Sequence, residues 1–247
     1  MVSAIWLSLK LAGVTTPIVL VLAALIAWFG SPLAQASPHP SAGTGGVVYR
    51  RLSQILRQIV MVLVTVPIIL PPTVLGFYLL LFLGANGPIV WLGQSLGLVH
   101  PNWRGLAFSF PGLVIGSVVF CLPFAVQNLQ TAFAQLNKRL FDVAACLGAG
   151  PWRRFYRLAL PLCRQSIVAA ALLSFAHTIG EFGVVLMLGG NIPGATQLLS
   201  IALYDAVEAG QFQQAHLVAG GLLLFAMAIM LAVTWLMRDH RQPSLRR

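Results

Sequence analysis

A histidine and a carboxylate stand four residues apart, His177 and Glu181, at the end of a stretch that carries no charged residue from Gln165 to Gly180. On a continuous helix that spacing puts both side chains on one face, where an ion pair could form or a proton could pass. An ionisable group inside an apolar span is costly, so it marks either a transport site or a polar contact that orders helix packing near the outer interface. Direct ligation of an anion by Glu181 is disfavoured, because a carboxylate repels it. A second constellation is Pro67, Pro71 and Pro72, which interrupt an uncharged stretch that continues through Leu83. From Gln58 to Leu83 a straight helix would measure about 39 Å, against a hydrocarbon core of about 30 Å. A break is expected near Leu70 to Thr73, and broken backbone at membrane depth is tolerated where it is buried in protein or lines a cavity. On that reading Pro71, Pro72, Thr73 and Gly76 stand beside a pathway; on the alternative the kink only shapes packing.

The third constellation is a loop. Six of the fifteen basic residues fall between Lys138 and Arg164. Leu136, Leu140, Val143 and Leu147 form one apolar stripe at helical spacing, and Trp152, Phe155, Ala159 and Leu162 form a second. Gly148, Ala149, Gly150 and Pro151 lie between them and supply a helix stop followed by a helix start. Each stripe covers roughly 10 residues, half of what a bilayer crossing needs. The result is a compact helix-turn-helix knob whose apolar side calls for a groove on another protein.

The elements that must position these groups are membrane helices. The 247 residues are 58% hydrophobic and 8% charged, with a mean hydropathy of +0.87, which excludes an ordinary soluble domain. The net charge of +10 lies dispersed between apolar spans without an aromatic-lined basic face, so no nucleic-acid partner is expected. Five transmembrane helices are expected, at about 11 to 29, 56 to 83, 107 to 130, 164 to 188 and 214 to 237. With the basic loop inside, thirteen of the fifteen basic residues face the cytoplasm and only Lys10 and Arg104 lie outside. The positive-inside rule then puts the amino terminus outside and the carboxyl terminus in the cytoplasm. Lys10, an apolar run and Ala34-Gln35-Ala36 imitate a cleaved secretory signal, yet the run from Leu11 to Phe29 is 19 residues, longer than a signal core of about 7 to 15. A retained helix is expected. The Ser, Pro, Gly and Ala-rich stretch from Gly30 to Gly46 reads as a disordered cytoplasmic linker.

Asp142-Val143-Ala144, Gly148 and Leu158-Ala159-Leu160-Pro161 resemble the coupling-loop signature of bacterial ABC importer permeases, Glu-Ala-Ala, three residues, Gly, nine residues, Ile-x-Leu-Pro. Leu70-Pro71-Pro72-Thr73-Val74-Leu75-Gly76-Phe77-Tyr78, Gly180-Glu181-Phe182-Gly183 and Gly190-Asn191-Ile192-Pro193-Gly194 with Thr196-Gln197 are similar to the molybdate permease branch. The resemblance extends from about Trp6 to Leu236 and implies an all-α integral membrane protein with the type I ABC importer permease fold, one transmembrane domain over residues 1–247. A cytoplasmic linker at about 30–55 and a coupling loop at about 134–163 would belong to it. It further implies a homodimer in the inner membrane, two copies of a cytoplasmic ATP-binding subunit, and a periplasmic binding protein that delivers the oxyanion. No cofactor or metal is implied. Within the knob, Asp142 would be a polar contact, Ala144 and Gly148 would permit close approach, Pro151 would set the turn and Trp152 would be the aromatic anchor. His177, Glu181, Pro71, Pro72, Thr73 and Gly76 would belong to the pathway or gate. The family usually has arginine where this chain has His177, so the charge there would depend on pH. The loop from Asn191 to Gly210, with a shallow helix near Leu198 to Val207, is a candidate floor for the binding protein or a merely solvated loop.

The chain contains no GxxxxGK[ST] phosphate loop, so ATP hydrolysis by that route would need a separate subunit and no enzyme activity is expected of this one. Cys121, Cys146 and Cys163 lack metal-like spacing and read as structural thiols. Sulfate, thiosulfate or tungstate is the alternative cargo, since tetrahedral dianions differ little in charge. A stand-alone carrier relaying protons through His177 and Glu181, or a membrane scaffold, remains a different class. A carrier has no need of the knob, and the chain shows no internal repeat of the kind carriers often have.

Overall fold

The computed structural model describes residues 2–35, 44–100 and 102–238, and every regular element among them is helical. Helix α1 spans Val2–Gly30, and a 3₁₀ turn at Pro32–Gln35 follows it. Next come α2 (Thr44–Ile69), α3 (Pro72–Leu83), α4 (Pro88–Ser95) and α5 (Phe110–Ala134). The knob is α6 (Lys138–Cys146) and α7 (Pro151–Leu162). Then α8 (Arg164–Gly180), α9 (Gly183–Gly189), α10 (Leu199–Glu208) and α11 (Phe212–Arg238) complete the order.

Val2–Gly30, Pro72–Ser95, Phe110–Ala134 and Phe212–Arg238 are long and apolar enough to cross a membrane, and the bent pair α7 and α8, hinged by 76°, is a fifth if counted as one span. Two expected helices are broken. The second, at about 56 to 83, divides at Leu70 and Pro71: Pro71 is extended, with φ −54° and ψ 135°, and Pro72 opens α3. Proline suits a first helical turn, where its missing N–H costs nothing, and forbids a helical residue before it. The fourth, at about 164 to 188, stops at Gly180; Glu181 is extended at φ −68° and ψ 133°, and α9 starts at Gly183. The linker also ends earlier than 55, because α2 begins at Thr44. Residues 36–43 of that linker, and Arg241, Arg246 and Arg247 of the charge bias, lie outside the described residues.

Helix α1 packs along α5 and α8, burying Leu11, Ala12, Val19, Ala23, Ala27 and Trp28 completely. It is a wall of the fold. At its end the Trp28 indole is the hub of an aromatic cluster, with centroids 6.0 Å from Phe133 on α5, 6.0 Å from Phe141 on α6 and 5.4 Å from Phe155 on α7. Edge-on and tilted rings at these separations are favourable beyond the area they bury. The cluster fastens the knob to the transmembrane helices. At the opposite end of α1, a second core joins Leu11 to Leu113, Val185, Leu198 and Ile201, and the Leu199 N–H donates to Ser8 Oγ at 2.9 Å. Helix α11 keeps Leu217, Leu224, Leu231 and Trp235 exposed, which suits a lipid-facing helix.

Candidate functional site

The knob forms because its sequence punctuates two short helices. Asn137 caps α6 by accepting from the Arg139 N–H at 3.0 Å. Helix α6 ends at Cys146, and two residues on, Gly148 has a φ of +79°, left-handed backbone that glycine adopts without Cβ strain. Pro151 then starts α7. Within α7, residues 155–159 widen into a π turn, with the Leu160 N–H reaching the Phe155 carbonyl. Pro161 provides the reason: it has no N–H for the carbonyl four residues back and its ring crowds that turn.

One face of the knob points inward and one outward. Phe141, Ala145, Phe155 and Ala159 are buried, so half of the second sequence stripe packs on the Trp28 cluster rather than awaiting another protein. Phe155 and Ala159 are buried while Trp152 and Leu162 are exposed, and that division corrects the reading of one continuous outward stripe, although the Phe155 ring still meets Trp152 edge-on at 6.2 Å. The outward face is Leu140, Val143, Leu147, Trp152 and Tyr156. Leu147 is 82% exposed and Trp152 is 49% exposed, the latter stacked on Tyr156 at 6.0 Å and edge-on to Phe29 at 5.3 Å. Asp142 and Ala144 are half-buried beside this face, and Gly148 and Pro151 are exposed at its turn.

Arg154 is the residue that sequence reasoning missed. It is 3% exposed, and its guanidinium donates to the Leu33 carbonyl at 3.2 Å and the Ala34 carbonyl at 3.4 Å. Burial lowers its pKa from the ordinary arginine value, and the charge of Asp142 partly opposes that. The knob is thereby tied to the turn that follows α1. Arg154→Met is expected to lower the midpoint of thermal unfolding of the detergent-purified protein, since two carbonyls lose charged-donor bonds worth about 1.5–3 kcal/mol each at most. Arg153→Met, on an exposed side chain, is expected to leave the midpoint unchanged. Equal midpoints for the two variants would refute the tie.

The second arrangement lies where the two helix breaks meet. Helices α3 and α9 pack together so closely that a Cβ on Gly76 would stand 2.8 Å from Met187 Cβ and 3.1 Å from Val184 Cα, and one on Gly183 would stand 2.8 Å from Pro72 Cβ. Gly76 is therefore a buried packing contact within the chain and offers no surface to a pore. Pro71, Pro72 and Thr73, by contrast, are exposed. Glu181 is 6% exposed; its Oε1 accepts from the Val184 N–H at 2.8 Å, and Ser200 donates to its backbone carbonyl at 2.6 Å. A carboxylate over the first turn of α9 satisfies free N–H groups and complements the helix dipole.

His177 does not join it. With the helix ending at Gly180, Glu181 leaves the helical spacing that an intrahelical pair requires. The imidazole instead stacks on Phe120 with centroids 4.9 Å apart and planes 10° apart, and lies 4.6 Å from Phe124. Its Nε2 is buried and has no hydrogen-bond partner among the described residues. Beyond α9 the loop is braced: Asn191 Nδ2 donates to both Asp205 oxygens at 3.0 Å, Gln197 Nε2 donates to Asp205 at 3.0 Å, and Thr196 donates to the Gly189 carbonyl at 2.6 Å. The shallow helix expected near Leu198 to Val207 is α10, Leu199–Glu208. Such a loop presents a defined surface.

Residues 41–242 match the family model "Binding-protein-dependent transport system inner membrane component". The chain is 44% identical to the "Molybdenum transport system permease protein ModB" of Azotobacter vinelandii, over 94% of this chain and 92% of that one. It is 30% identical to the "Sulfate transport system permease protein CysW" of Escherichia coli (strain K12), over 82% of this chain and 61% of that one. Among solved structures, a chain of the bacterial alginate ABC transporter, crystallised with an alginate pentasaccharide-bound periplasmic protein, superposes with a TM-score of 0.64 over 98% of this chain and 78% of that one. At 18% identity that likeness establishes a shared fold.

Proposed function

We infer the function from one premise: the chain belongs to the family of binding-protein-dependent transport system inner membrane components. It is the membrane-spanning permease subunit of an ABC importer, and its cargo is molybdate. The observation that carries the reading is the knob, an outward apolar and aromatic face held on a rigid base by Trp28 and Arg154. A chain that used only its own ion gradients would have no reason to hold such a face out to water. Cargo follows from the high identity to the Azotobacter protein along nearly the whole length, against the lower identity and coverage with the sulfate permease.

In the working transporter two copies of this chain form the pathway, with the amino terminus outside and the knob in the cytoplasm, as the positive-inside rule requires. Two ATP-binding subunits receive the knobs, and a periplasmic oxyanion-binding protein docks over the braced loop from Asn191 to Gly210. When the ATPases close on ATP, the knobs approach one another. Because α6 and α7 are locked to α1 and α5 through Trp28, the displacement cannot be absorbed as local rocking. It passes instead through the 76° hinge into α8 and on to the break at Glu181. The ATPase must hold the knob more tightly in one state than in the other for this to work. Asp142, Ala144, Gly148, Pro151 and Trp152 form the ATPase contact. Pro71, Pro72, Thr73, His177 and Glu181 belong to the moving region of the gate, with Gly76 as its packing point.

The test is uptake of labelled molybdate and sulfate by vesicles holding this chain, its ATPase and its binding protein, with and without ATP. ATP-dependent molybdate uptake that excess sulfate does not inhibit is expected. ATP-dependent sulfate uptake in its place would move the cargo to sulfate, and flux without ATP would refute the reading.

A further inference from the structure

Helix α5 carries a row of side chains that neither the packing nor the gate accounts for. Phe124, Gln127, Asn128, Thr131 and Gln135 follow one another at steps of three, one, three and four residues, which places them on one helical face. With Ser166 of α8 they line a pocket of about 300 Å³, closed at one side by Met237 of α11. Gln127, Asn128 and Thr131 are exposed in the single chain, although α5 is apolar enough to span a membrane. The buried face of the same helix is Cys121, Ala125, Val126, Leu129 and Phe133. Helix α5 thus turns its apolar side into the core of its own chain and its polar side to the open pocket.

Amides cannot face hydrocarbon cheaply. An unpaired amide there costs several kcal/mol by the usual transfer scales. Helix α5 is capped at Ser109 and Gln135, and a hydrocarbon core of about 30 Å centred on it reaches to within a few residues of each end. Gln135 would be wet in any arrangement. Gln127 and Asn128 would not, and they are the diagnostic pair. The backbone satisfies only part of the row: Asn128 Nδ2 donates to the Phe124 carbonyl at 3.0 Å and the Thr131 hydroxyl donates to the Gln127 carbonyl at 2.9 Å. The remaining polar capacity faces outward. At the upper end of the row, Phe124 touches the His177 ring, so the polar face begins where the aromatic stack ends.

The geometry points to this row as the inner, water-filled half of the translocation pathway, with Gln127 and Asn128 as hydrogen-bond donors to the passing oxyanion. The inference rests on the importer reading above. Neutral amides suit such a passage. A dianion in such a passage needs donors in place of its water, and donors without charge hold it weakly enough to release it to the cytoplasm. A row of lysine or arginine would retain it.

The full transporter in vesicles, with ATPase and binding protein, tests this in a Cys146→Ser background, since Cys146 is the exposed thiol and Cys121 and Cys163 are buried. Asn128→Cys is expected to react with a membrane-impermeant methanethiosulfonate supplied to the cytoplasmic face, and molybdate during turnover is expected to slow that reaction. Asn128→Leu is expected to lower molybdate uptake about tenfold, the loss of one hydrogen bond to a charged group, while the ATPase still copurifies. No labelling of Asn128→Cys in either the nucleotide-free or the ATP-bound state, or normal uptake by Asn128→Leu, would overturn the assignment. If the unsubstituted transporter imports sulfate and not molybdate, the cargo reading fails while the labelling still reports on the row.

Discussion

Gly76→Leu is expected to abolish uptake and to prevent recovery of a monodisperse protein, although the chain still inserts in the membrane. The Cβ alone would lie 2.8 Å from Met187 Cβ and 3.1 Å from Val184 Cα. Neither atom is the end of a flexible side chain, so no rotamer change relieves the contact. Overpacking in a well-packed interior costs about 1–3 kcal/mol, and here the excess falls on backbone, so the upper end or beyond applies. Between helices in lipid there is no hydrophobic drive to offset it, because the tails are as apolar as leucine and close packing of small residues supplies the association. Helix α3 would have to leave α9, and both helix breaks would open to lipid with their free carbonyl and N–H groups. Gly13→Ala is the control, since a Cβ at Gly13 of α1 meets nothing within 4 Å. Size-exclusion profiles and thermal midpoints of the two purified variants decide it. A Gly76→Leu protein as stable as Gly13→Ala would show that α3 and α9 do not hold one another.

Why part of this was legible in advance follows from the range of the interactions. The proline break near Leu70, the glycine and proline turn of the knob and the apolar helices expected at about 11 to 29, 107 to 130 and 214 to 237 are set by local covalent geometry and composition and agree with the structure, whereas the second span runs over Pro72–Ser95 and not 56 to 83. The break at Glu181 was not legible. Gly180 to Gly183 contains no proline, and an apolar run on both sides reads as one helix. What interrupts it is tertiary: Ser200 holds the Glu181 carbonyl from α10, and Gly183 must approach Pro72 from another helix. The same holds for Arg154, whose carbonyl partners lie about 120 positions away in the sequence. Among six basic residues of one loop, nothing local distinguishes the buried one. The polar row on α5 lay in plain view as Gln127, Asn128, Thr131 and Gln135. Only the structure shows that its opposite face is the one that packs.

Leu147→Asp is expected to leave the fold intact and to remove both copurification of the ATPase and uptake. Leu147 is 82% exposed and ends the outward face at the knob's turn, so replacing it removes no internal contact and alters the thermal midpoint little. In the complex the same position would be buried in an apolar groove. A carboxylate there would be desolvated without a partner, which costs far more than the lost leucine contacts and reaches the several kcal/mol typical of interface anchors. Gly148 gives the complementary experiment. A Cβ at Gly148 meets nothing within 4 Å in the chain, yet φ is +79°, so Gly148→Ala costs about 1 kcal/mol of local backbone strain in the free permease. Any loss of ATPase binding beyond that reflects the groove wall meeting the new methyl group. The order expected in copurification is unsubstituted, then Gly148→Ala, then Leu147→Asp with none. The inward face supplies the contrast: Phe141→Ala removes a fully buried ring from the Trp28 cluster and would weaken binding by loosening the base, with a fall in thermal midpoint that Leu147→Asp does not share. Full ATPase recovery with Leu147→Asp would mean that the partner grips the knob elsewhere, and the coupling route through α7 and the 76° hinge would have to be abandoned.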